Sequence, residues 1–104
     1  MKIELNKLEA LGELTGIRVE ILKFAVNMER KLRENDHKGG WKECDFEYLR
    51  ARLQDEVQEM EEMFVKYSKV MRPNMKNKLK RECADVANFA MMISDKLSAK
   101  TETF

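Results

Sequence analysis

RECADVANFAMMI, Arg81 to Ile93, stands out in a chain crowded with charge: from Cys83 to Ile93 only Asp85 is charged. A window that apolar, at helical length, belongs to a helix buried on more than one side. It nevertheless carries Glu82, Asp85 and Asn88, each three residues after the last. On a helix this spacing puts neighbours on one face, roughly 5–6 Å apart at Cβ. Buried carboxylates are costly unless they are paired, hydrogen-bonded or bound to a cation.

The preceding helix offers a partner set. Asp45 is a plausible N-cap for a helix running to about Val70, with Leu49, Leu53, Val57, Met60, Phe64 and Tyr67 as its apolar stripe. At about 100° per residue, Glu56 falls inside that stripe, among Leu53, Met60 and Met63, and Glu59 falls at its border. Asp55 and Glu62 lie further round, where solvent explains them. If the two helices pack antiparallel, Glu56-x-x-Glu59 and Glu82-x-x-Asp85 converge. Four carboxylates would repel, and some would protonate; a hard divalent cation removes the conflict. Mg²⁺ accepts carboxylate oxygens in octahedral geometry and keeps waters and phosphates as its other ligands. Such a site suits phosphoanhydride or phosphate-ester hydrolysis. Taken singly, each pair is also explained as an ordinary solvated helix surface. A di-iron carboxylate bundle fits poorly, because that design needs Glu-x-x-His on two helices and the one histidine, His37, lies in a loop.

Further out, a helix is expected from about Ile17 to Asn35, with Thr15 as a possible N-cap and Ile17, Ile21, Phe24, Ala25, Met28 and Leu32 as its face. Residues 35–41, Asn-Asp-His-Lys-Gly-Gly-Trp, read as a loop in which the glycines permit left-handed backbone angles. Residues 2–14 form a short amphipathic helix or an arm. Pro73 closes one helix and suits the first turn of the next, which runs from about Asn74 to Leu97. Its main stripe is Leu79, Cys83, Val86, Ala90, Ile93 and Leu97, beside a mixed row of Glu82, Asp85, Phe89, Met92 and Lys96. The tail from Ser98 is expected to fray. These elements predict an all-α protein of one domain, residues 1–104, with its core over about 17–97. Helices so few and so long call for a helical bundle completed by homodimerisation.

Composition narrows the partners. With 20 basic and 19 acidic residues, overall charge gives no case for a nucleic-acid polymer. No segment reaches the ~20 apolar residues of a membrane span, and the N-terminus, with acids among its apolar residues, is not expected to act as a signal peptide. Cys44 and Cys83 lie far apart without metal-ligand spacing and read as reduced thiols of a cytoplasmic protein.

Leu53-Gln-Asp-Glu56-Val-Gln-Glu59-Met60, followed by Glu82-Cys-Ala-Asp85, resembles the MazG-like all-α nucleoside triphosphate pyrophosphohydrolases. That family's signature is E-x-x-E on one helix and E-x-x-D on the next, and the resemblance covers about residues 17–97. It implies a helical bundle built from a homodimer, sometimes paired into a tetramer. It implies Mg²⁺, with Mn²⁺ as a possible substitute, held by Glu56, Glu59, Glu82 and Asp85. It implies cleavage of a (d)NTP to the monophosphate and pyrophosphate, with water activated at the metal and Glu56 as the catalytic base. Two departures stand out: Asp55 replaces a frequent glutamate, and Gln58 replaces a small residue.

Substrate contacts carry over less directly. Trp41 occupies the region where relatives stack an aromatic ring on the base; it either does so here or plugs the bundle end. Lys38 either meets phosphate or is a free surface lysine. Phe89 borders a base pocket or packs in the core, and Asn88, if buried, must bond something. Lys96 and Arg81 are further phosphate candidates against a default of solvated positions. Met28, Met60, Met63, Met91 and Met92 are expected in the core. The alternative to an enzyme is a non-catalytic helical dimer that binds nucleotide or a protein partner in a regulatory role.

Overall fold

A computed structural model describes residues 2–70 and 73–98, apart from the side chains of His37, Val70 and Pro73. The readings made for His37 and for a frayed tail after Ser98 therefore lie outside the described residues. The described chain is all helical: α1 (Leu5–Thr15), α2 (Val19–Glu34), α3 (Phe46–Val70) and α4 (Pro73–Leu97), with one 3₁₀ turn at Asp36–Lys38.

The break between α1 and α2 differs from expectation. Thr15 does not cap α2; it ends α1. Its hydroxyl donates to the Leu11 carbonyl at 2.7 Å and accepts the Ile17 N–H at 3.2 Å. Gly16 follows with φ +77°, and its N–H bonds the Gly12 carbonyl at 2.8 Å. This left-handed cap favours glycine, which has no Cβ to clash. The start of α3 agrees with the sequence. The Asp45 carboxylate accepts the Tyr48 N–H at 2.7 Å, satisfying one of the donors that a helix start leaves unpaired. α4 begins at Pro73, where the missing N–H costs no helical bond.

α4 is the centre of the arrangement. It packs on α3 and on α2, α1 packs on α2, and among the described residues the backbones of α2 and α3 do not approach each other closely. Both α4 pairings are antiparallel. Against α3, Met60 meets Cys83, Arg52 meets Phe89, and Phe46 meets Lys96. Against α2, Met28 meets Asn88, Lys31 meets Asp85, and Glu34 meets Arg81.

Serving two neighbours changes which row of α4 is covered. Ala84 and Asn88 are its buried residues, while Ala90 and Leu97, expected in its apolar stripe, are exposed. A row between two flanking helices loses solvent before a row that faces one of them. On α3, Leu49 is fully buried, whereas Phe64 of the expected stripe is exposed. Burying a leucine that completely contributes roughly 2 kcal/mol. The five methionines expected in the core are partly exposed. Among the described residues no helix is long and apolar enough to cross a membrane.

Candidate metal centre

Because α3 and α4 run antiparallel, Glu56 and Glu59 come level with Glu82. One carboxylate oxygen from each of these three residues lies within 4.8 Å of the others. Glu56 is 6% exposed. Its Oε1 accepts a hydrogen bond from Arg52 Nη2 at 2.7 Å. Its Oε2 is buried, as is Glu82 Oε2, and among the described residues no donor reaches either oxygen. Two buried carboxylate oxygens without donors carry the full cost of desolvation.

The electrostatics carry the strain. Burial, then the charges of Asp85 and Glu59, push Glu56 up to about 7. Burial and Asp85 raise Glu82, and burial raises Asp85 against the opposing pull of Lys31. These residues fit a hard divalent cation. The clustered donors are carboxylate oxygens, and the nearby Cys83 thiol is turned to the Met60 sulfur at 3.8 Å.

Asp85 is the sequence-assigned ligand that stands apart from this trio. Its Oδ2 lies 3.5 Å from Lys31 Nζ, which also reaches Glu34 Oε2 at 3.3 Å. Glu34 in turn pairs with Arg81 Nη2 at 2.8 Å, which holds its carboxyl below the usual range. Arg81 is thus engaged between α2 and α4.

Glu56, Glu59 and Asp85 stand in the wall of a cleft of about 510 Å³ that α2, the 35–44 segment, α3 and α4 enclose, and Glu82 lies behind that wall, within reach of Glu56 and Glu59. Small-molecule sites run from roughly 300 to 1,000 Å³. Lys38, Trp41, Asn88 and Phe89 all line it. The Trp41 indole N–H donates to Asp95 Oδ2 at 3.0 Å, so the ring is anchored to α4. Asn88 Nδ2 donates to the Met28 carbonyl at 3.0 Å, while its buried Oδ1 has no donor among the described residues. Lys96 is not in the lining. It donates to the Lys42 carbonyl at 3.2 Å and lies over the Phe46 ring, tying the 39–45 segment to α4. Met92, expected in the core, faces the cleft. Asp55, left out of the metal set, is exposed and pairs with Arg52 at 3.2 Å.

Sequence reasoning missed Lys31, Tyr48 and Arg52, which also line the cleft. For Arg52 a signal was present: it precedes Glu56 by four residues, the spacing of a helical ion pair. Its guanidinium also lies 5.4 Å from the Phe89 ring centroid, a cation–π distance. No protein-family profile, curated protein or solved structure matches the chain.

Proposed function

We propose that the chain is a Mg²⁺-dependent nucleoside triphosphate pyrophosphohydrolase of the MazG-like all-α kind, acting as a homodimer. The observation that carries this reading is the pair of buried, donorless oxygens on Glu56 and Glu82 beside a cleft lined with cations and aromatic rings. Glu56, Glu59 and Glu82 would hold the cation, joined by Asp85. When bound, Mg²⁺ supplies Lewis-acid polarisation of phosphoryl oxygens and activation of water.

The chain's own residues supply the rest. Glu56 is positioned by Arg52, and its carboxylate accepts the proton of the attacking water. Water adds across the α–β phosphoanhydride bond, giving the monophosphate and pyrophosphate. Lys38 and the outer face of Arg52 meet phosphate charge. Trp41, Tyr48 and Phe89 offer flat surfaces for a base, with Asn88 Oδ1 as an acceptor. The homodimer reading draws on the exposed apolar side chains Leu14 on α1, Ile17 in the turn after it and Ile21 on α2.

Pyrophosphate release from a panel of ribo- and deoxynucleoside triphosphates, with and without Mg²⁺, tests the reading. Metal-dependent release from the wild type and its loss in a folded Glu56→Gln variant are expected. Retention of most activity in that variant would remove Glu56 from its role. A second reading, a nucleotide-binding module without turnover, draws on the ion pairs that Arg52 and Lys31 already make with Glu56 and Asp85. Equal nucleotide binding with and without Mg²⁺, and no pyrophosphate, would favour it.

A further inference from the structure

Lys31 stands where two demands meet. It is on α2, its side chain is only 15% exposed, and its ammonium is shared between Glu34 at 3.3 Å and Asp85 at 3.5 Å. Both distances are long for charge-assisted bonds, which favour about 2.7–2.9 Å. Neither carboxylate therefore holds the ammonium in a tight pair. Asp85 is the acid left outside the cluster of Glu56, Glu59 and Glu82. Lys31 and Asp85 both line the cleft.

We propose that Lys31 is an exchangeable counter-ion for Asp85: a divalent cation takes Asp85 from it, and the freed ammonium becomes a phosphate-binding group in the same cleft. The proposal rests on the metal-dependent reading above and adds to it a physical link between cation and substrate. An ammonium is a compact charge on a flexible stem, suited to changing partners over a short distance. Asp85 cannot satisfy a cation and a lysine equally, because each lowers the gain from the other. A phosphate chain entering with its own charge gives the displaced lysine a partner, so cation and phosphate binding reinforce each other.

The test uses the full chain and calorimetry with two probes, Mg²⁺ alone and inorganic pyrophosphate at buffered free Mg²⁺. Lys31→Met removes the competitor for Asp85 and the phosphate contact together. It is expected to tighten Mg²⁺ about threefold to tenfold, and to weaken pyrophosphate at least about tenfold. Lys31→Arg, which keeps the charge, is expected to retain most of the pyrophosphate affinity. A lysine that only braces α2 against α4 would give losses of the same sign for both probes, and that outcome overturns the proposal. A wild-type readout needs no substitution: reductive methylation of Lys31, followed by mass spectrometry, should rise when Mg²⁺ is added. Unchanged labelling in a protein that binds Mg²⁺ overturns the exchange alone. Failure of the wild type to bind Mg²⁺ at millimolar concentration overturns the metal-dependent reading along with it.

Discussion

Glu56 accepts from the Arg52 guanidinium on one oxygen, and among the described residues no donor reaches the other. Burial and the facing acids raise it from the ordinary 4.5 to about 7. Between those values the folded chain keeps a proton that the unfolded chain has lost, so metal-free stability falls as pH rises through this window. A shift of that size corresponds to roughly 3 kcal/mol. Thermal melts of metal-free protein from pH 5 to pH 8 should show the decline, which Glu82 and Asp85 reinforce because they shift the same way. Glu56→Gln should flatten it substantially, and millimolar Mg²⁺ should do so in the wild type. A flat wild-type profile would mean that the carboxylates are better solvated than their burial indicates. Arg52→Gln makes a different prediction: it leaves the buried Glu56 without its half-exposed partner and should cost roughly 1–3 kcal/mol in urea unfolding.

Among the elements, α3 has a start that rests on the Asp45 side chain. Asp45→Ala should cost about 1 kcal/mol, and Asp45→Asn much less, because asparagine also accepts from the N–H groups of the first turn. Urea midpoints of the two variants decide it. The extents of α3 and α4 were legible because proline, Asp45 and apolar periodicity are local signals, and three of the four acids were legible as a cluster because three-residue spacing fixes Glu56 and Glu59 on one helix face and antiparallel packing brings Glu82 level with them. The covered row of α4 was not. Periodicity shows that a helix has an apolar side, but Ala84 and Asn88 are buried because two helices flank them, and nothing local encodes the second neighbour. Lys31 escaped for the same reason: its pairing with Asp85 joins α2 to α4 across the whole of α3 in sequence. Thr15 misled because a hydroxyl near a helix boundary serves either side of it.

At the scale of the molecule, the radius of gyration is 15.5 Å, against about 13 Å for a compact chain of this length. Leu14 is 84% exposed and Ile21 54%. A second copy is the occupant we assign to this surface. Light scattering after size exclusion should give twice the chain mass, and the melting temperature should rise with protein concentration. Ile21→Glu should shift the population towards monomer while leaving the helical signal of each chain largely unchanged. A monomer at every concentration would refute the dimer. The cleft has a separate property of scale. Its α2 and α3 walls are joined by the 35–44 segment and by their common packing on α4, and Glu56, Glu59, Glu82 and Asp85 stand on α3 and α4. A small rotation of α2 would open or narrow the mouth like one jaw of a pair of tongs, leaving Glu56, Glu59 and Glu82 in place while the Lys31 pair passes the movement to Asp85. A change in the jaw is therefore felt by one acid and leaves the other three where they were.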